Sequence, residues 1–130
     1  MANGLNSSGM AWMILAKLVL AAHAAWVAFN VLGPLWCWKR PAWRAAHLAT
    51  LSLTLLFMAT TGRCPLTDLE NLLLARGSPA AVYPGGFIAR FLERLVYWDI
   101  SPGILGAATA AWSGLWLGVY AMMWRRERRR

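Results

Sequence analysis

The chain has 130 residues, 59% of them hydrophobic, with nine Trp, only 14% charged residues and a net charge of +8. That composition leaves room for about three membrane-spanning helices and one extramembrane segment in a single domain over 1–130. Most of the basic residues fall in the tail (Arg125 to Arg130) and at Lys39, Arg40 and Arg44, so the charge reads as topological anchoring, and nucleic acid is not expected as a partner.

The N-terminus, Met1 to Gly9, is uncharged and rich in Asn, Ser and Gly. It lacks the basic region of a secretory signal, so the first helix is expected to be retained, although Ala22-His23-Ala24 has the small-x-small form of a cleavage site. The first span runs from about Met10 to Leu32, with Gly33-Pro34 as a kink or end signal, because Pro removes a backbone donor. Lys39-Arg40-Pro41 turns the chain. The second span covers about 42–62, with Pro41 in its first turn and Gly62-Arg63-Cys64-Pro65 as its stop.

The outer loop, 63–102, is too polar to cross, with Arg63, Arg76, Arg90 and Arg94 set against Asp68, Glu70, Glu93 and Asp99. Within it, Thr67 to Ala75 reads as a short helix, with Thr67 as N-cap, Glu70 closing a capping box and Gly77 ending it. A second short helix, about Phe87 to Tyr97, places Phe87, Ile88, Phe91, Leu92, Leu95 and Val96 on one stripe, the pattern of an interfacial amphipathic element. The third span, 103–124, follows Ser101-Pro102 as cap and first-turn pair. It carries no charge from Gly103 to Met123 and ends in Trp124 and the Arg-rich tail. The fold class is therefore an all-α membrane protein with three spans. The basic residues at Lys39, Arg40 and Arg44 and in the tail are expected to put the N-terminus outside and the C-terminus inside; were the membrane a bacterial inner one, 63–102 would lie on the periplasmic side.

Small residues are expected to hold the spans together, since lipid offers little hydrophobic drive between helices. Gly106, Ala110, Gly114 and Gly118 form a four-residue-spaced ridge on the third span, serving either the bundle or an oligomer. Ala21, Ala24, Ala25 and Ala28 on the first span, and Ala42, Ala45, Ala46 and Ala49 on the second, offer matching surfaces.

Two membrane histidines, His23 and His47, suggest an axial haem pair. Depth counts against it: His47 lies ~9 Å along its helix from the turn, and His23 at least ~15 Å from Gly33. A buried, hydrogen-bonded polar role suits each better. Lys17 is an intramembrane charge that either snorkels or pairs with Asp68 or Glu70. Cys37 and Cys64 fall at opposite faces and so do not pair. Cys64-Pro65 also resembles thiolate haem ligation, though as a dipeptide only. The chain has no Ser-His-Asp arrangement, phosphate-binding glycine loop, C-x-x-C or H-E-x-x-H, so neither a catalytic set nor a metal site is expected.

The run Cys64-Pro65-Leu66-Thr67-Asp68-Leu69-Glu70, with His23, His47-Leu48 and Gly85-Gly86-Phe87-Ile88, resembles a bacterial family of small integral membrane proteins known as domain of unknown function 2784. The resemblance extends over most of the chain. It implies an inner-membrane helical protein and nominates these residues, but carries no assigned activity. Lys17 and the Arg tail lie outside the pattern. The expected function is that of a non-enzymatic accessory or assembly subunit, with the lipid bilayer and a homo-oligomer or larger membrane complex as partners and no cofactor. The alternative is a haem-binding or redox membrane protein using His23, His47 or Cys64.

Overall fold

The longest helix, α1 (Ser7–Cys37), buries Gly9, Ala16, His23, Asn30, Gly33 and Cys37. Steps of seven residues bring five of these to one face of the helix. All are small or polar. The bulky apolar residues point outward instead: Leu18 is 61% exposed, Leu35 75% and Trp36 59%. A helix in a water-soluble protein would have the opposite arrangement; this one is built for surroundings as apolar as its own side chains.

The computed structural model describes residues 7–83 and 101–130. After α1 come α2 (Pro41–Thr60), α3 (Pro65–Gly77), a short 3-10 turn (Pro79–Ala81) and α4 (Pro102–Arg128). There is no strand among the described residues. The fold is all-α, and α1, α2 and α4 are long and apolar enough to cross a membrane. Local chemistry sets the ends. Proline opens α2, α3 and α4, where its missing N–H costs nothing. The Ser101 side chain accepts from the Ile104 amide at 3.4 Å as the cap of α4, and Gly62, at φ +66, supplies the left-handed residue that closes α2.

Side-chain bonds fix the register. Trp26 Nε1 on α1 donates to Thr54 Oγ1 on α2 at 3.1 Å. Counting outward along the antiparallel pair, Thr60 is level with about residue 20 of α1. Trp112 on α4 reaches Asn30, so α4 also begins at about that level. At 31 residues, α1 is ~46 Å long and rises well above both partners. There α3 covers it: Ala16 packs with Leu73 and Leu74, flanked by Trp12, Met13 and Val19, and the Arg76 guanidinium lies 5.0 Å from the Trp12 ring centre. Gly77 comes so close that a Cβ there would lie 3.1 Å from the Gly9 carbonyl.

Several expectations are corrected. α1 does not stop at Leu32 but continues through Gly33-Pro34 to Cys37, because packing on α2 and α4 supplies the partners that the proline removes. Of the two roles open to the third-span ridge, packing within the bundle is not seen among the described residues, which leaves the oligomer contact: Gly114 and Gly118 are exposed, and no described residue lies within 4 Å of a Cβ built at Gly106, Gly114 or Gly118. The buried positions of α4 are Ser113 and Tyr120 instead. The alanines of α1 and α2 are likewise largely exposed, since Trp26, Phe29, Asn30 and Gly33 form the contact face. The expected helix at 87–97 and the 85–88 segment lie outside the described residues.

Gly77→Leu should therefore lower the thermal midpoint in detergent, whereas Gly114→Leu should leave the midpoint of the monomeric bundle unchanged. Melts of both variants compare the two faces directly, and an equal loss in both would refute the assignment of the ridge to the outside.

Candidate functional site

Proline inside a helix leaves the carbonyl four residues earlier without its amide. In α1 that carbonyl belongs to Asn30, four residues before Pro34. Two donors from the other spans take it: His47 Nε2 on α2 at 3.2 Å and Trp112 Nε1 on α4 at 3.0 Å. A carbonyl oxygen has two lone pairs, so both can bind at once. One backbone atom thus ties together all three apolar helices.

The acceptor fixes the histidine's tautomer. Asn30 O can only accept, so Nε2 carries the proton and Nδ1 is left as an acceptor. The Tyr120 hydroxyl donates to Nδ1 at 2.7 Å. His47 is fully buried, with 0% exposure, and Gly33 makes room for it: a Cβ at position 33 would lie 2.5 Å from Cδ2 of the ring. Phe29 and Tyr120 meet the imidazole edge-on at 5.3 and 5.6 Å. Beneath it, Cys37, Leu51 and Tyr120 form a buried cluster with Trp116 and Leu117. The Asn30 side chain donates back to the Trp26 carbonyl at 2.9 Å, and its Oδ1 is buried without a partner among the described residues. The end of the bundle is closed by Arg44, which pairs with Glu127 of α4 at 2.9 Å and donates to the Trp38 carbonyl at 3.2 Å.

A second polar group lies where α3 covers α1. Glu70 is 2% exposed and accepts from the Tyr83 hydroxyl at 2.7 Å. Asn71 holds Tyr83 through its backbone, donating to the carbonyl at 2.9 Å and accepting from the amide at 3.4 Å. This corrects the expected capping box. Helix α3 begins three residues earlier than expected, at Pro65 with Cys64 in the cap position, and no side chain caps it. Thr67 and Glu70 therefore sit inside the helix, on its buried face with Leu73 and Leu74. Of the two roles open to Lys17, extension to the surface or a pair with Asp68 or Glu70, the pair is not among the described ion pairs. Lys17 is exposed, and the register places it near the outer ends of α2 and α4. Asp68 instead approaches Arg63 at 4.0 Å on the surface.

The structure does not bring the sequence-nominated cofactor residues together. His23 is buried on α1, ~10 Å along the helix from Asn30, the residue that His47 binds. Cys64 stands at the start of α3, and Cys37 is buried at the far end of α1; both are free thiols. Among the described residues no cluster of three His, Cys, Asp or Glu side chains could hold a metal. Cys64, Pro65, Leu66, Thr67 and Glu70 do form one unit, the first turns of α3.

Residues 13–126 match the model of a family described as "Protein of Unknown function (DUF2784)". The chain belongs to this family. No curated protein and no solved structure gives a significant match. In this DUF2784 chain, His47 and the Cys64–Glu70 run are thus placed in two separate polar groups, one at the centre of the bundle and one under α3. Sequence reading missed Asn30, Gly33, Trp112, Tyr120 and Tyr83. For the first four a signal existed: a mid-helix Pro frees the carbonyl at i−4, and long side-chain donors on other spans are its natural partners in a medium without water.

Tyr120→Phe removes the donor to a buried ring nitrogen and should cost about 1–3 kcal/mol. Gly33→Ala forces the His47 ring to move and should cost a similar amount, about 1–3 kcal/mol, by overpacking. Unfolding in mixed micelles checks both, and a Gly33→Ala protein as stable as the parent would show that the imidazole does not occupy this space.

Proposed function

We propose that this is a three-span integral protein of a bacterial inner membrane that acts as a non-enzymatic accessory or assembly subunit of a larger membrane complex. The observation that carries this reading is that the polar groups around His47 at the centre of the bundle bond to one another across helices. His47 engages both ring nitrogens, Tyr120 and Trp112 each give up their donor, and Trp26 is matched to Thr54. A bundle whose polar groups serve cohesion is suited to presenting its outer surface. That surface is apolar and rich in large side chains, including Leu35, Trp36, Leu115 and Met122, which fits lipid and neighbouring helices. The alternative of a haem or redox protein draws less support, because the ligating nitrogen of His47 would have to give up its hydrogen bond and His23 lies two turns away.

The orientation with N-terminus outside rests on Lys39, Arg40, Arg44 and the Arg tail sharing one end. An impermeant thiol reagent added to intact cells should label Cys64 and spare a cysteine introduced as Arg130→Cys; the reverse pattern would overturn the orientation. Cys37 is fully buried, so its silence decides nothing. The subunit reading is tested by purification in mild detergent with quantitative identification of co-purifying membrane proteins and an absorption spectrum. A stoichiometric partner and no Soret band are expected. A protein that purifies alone with a haem spectrum would replace this reading with the redox one.

A further inference from the structure

The basic tail is not uniform, and its sorting follows from helix geometry. α4 continues as a helix to Arg128, so Met122, Arg125, Arg126 and Arg129 share one face, at spacings of three, four and seven. Together they line an open groove of about 200 Å³. The tail's one acidic side chain, Glu127, points elsewhere and is held by Arg44 at 2.9 Å. Arg128 is also engaged, its guanidinium 4.9 Å from the Trp124 ring centre. No described carboxylate pairs with Arg125, Arg126 or Arg129. The groove begins at Met122, in the last turn of the uncharged run, and extends into the basic tail. Above it on the same face come Gly118 and Leu115, where no described residue lies within 4 Å of a Cβ built at the glycine.

We infer that Arg125, Arg126 and Arg129 form a site for the phosphodiester headgroup of an anionic phospholipid, with one acyl chain lying along Met122, Gly118 and Leu115. The inference rests on the three-span reading above. Guanidinium groups offer paired N–H donors that match the oxygens of a phosphate, and Arg binds phosphate through this fork where Lys acts as a point charge. Long basic side chains at a span's end also extend to the headgroup layer while their stems stay on apolar surface. The occupant is a lipid rather than a free anion because the groove's floor is Met122 and it opens onto the apolar face of the helix. Zwitterionic headgroups bring their own cation and suit three uncompensated guanidinium groups poorly. The site therefore selects for net negative charge.

The test uses the full chain in nanodiscs of phosphatidylcholine with a minor fraction of phosphatidylglycerol, reading the lipids retained on the protein by native mass spectrometry. Phosphatidylglycerol should be enriched on the parent protein over its bulk fraction. The enrichment should fall by about fivefold or more in Arg125→Gln/Arg126→Gln/Arg129→Gln. A control that removes equal charge from the same end, Lys39→Gln/Arg128→Gln/Arg130→Gln, should keep most of it. Enrichment that survives the first triple variant, or an equal loss in both, overturns the site. So does displacement of the lipid by millimolar inorganic phosphate, which would make the ligand a free anion. Insertion is scored separately by resistance to carbonate extraction. Parent protein that is extracted sinks the three-span reading itself, whereas inserted protein without enrichment sinks only the lipid site.

Discussion

The fold depends on one backbone carbonyl. Pro34 deprives Asn30 of its intrahelical donor, and a peptide oxygen left bare in an apolar medium costs several kcal/mol. His47 and Trp112 meet that cost from two different helices. The rest of the central site follows from this requirement. His47 must approach α1 closely, which demands Gly33; its second nitrogen must then be satisfied, which Tyr120 does. One missing hydrogen bond inside α1 has become the point where α1, α2 and α4 are held together.

This arrangement suits a chain with little else to hold it. The buried residues are few, and several are polar: His23, Asn30, His47, Thr67, Glu70 and Ser113. In water, burying larger apolar side chains would drive the helices together, whereas between apolar surroundings and apolar helices that term is small. Directional bonds and close contacts carry more of the task. The upper half of α1 illustrates the second kind, with α3 seated against it through Ala16 and Gly77. The polar Glu70–Tyr83 contact then ties the chain beyond α3 back onto that helix.

The three long apolar helices were legible in the sequence because length and apolar content report on them without any knowledge of contacts. Pro41, Gly62 and Ser101-Pro102 marked helix ends for local reasons, and local rules hold there. Thr67 failed as a cap because Pro65 started the helix three residues sooner, and proline at a first turn outweighed a side-chain cap. The glycine ridge could not be assigned to the bundle or to an oligomer in advance, because spacing shows that residues share a face but not which way that face looks. His23 and His47 could be recognised as buried polar groups, but their partners lie in other helices, and only the packed structure supplies the register between helices. Pro34 was read through its local effect, a kink or end, when its consequence here is tertiary.

The dependence of the bundle on the freed Asn30 carbonyl is tested most directly by a double-mutant cycle joining Pro34→Ala and Trp112→Phe, followed by reversible unfolding in mixed micelles. With Pro34 in place, Trp112→Phe removes one of two donors and should cost about 1–2 kcal/mol. In the Pro34→Ala background, the restored amide can satisfy Asn30 from within α1, and the same substitution should cost less than half as much. Equal costs in the two backgrounds would contradict the account, since they would mean that Trp112 contributes independently of the carbonyl that Pro34 exposes.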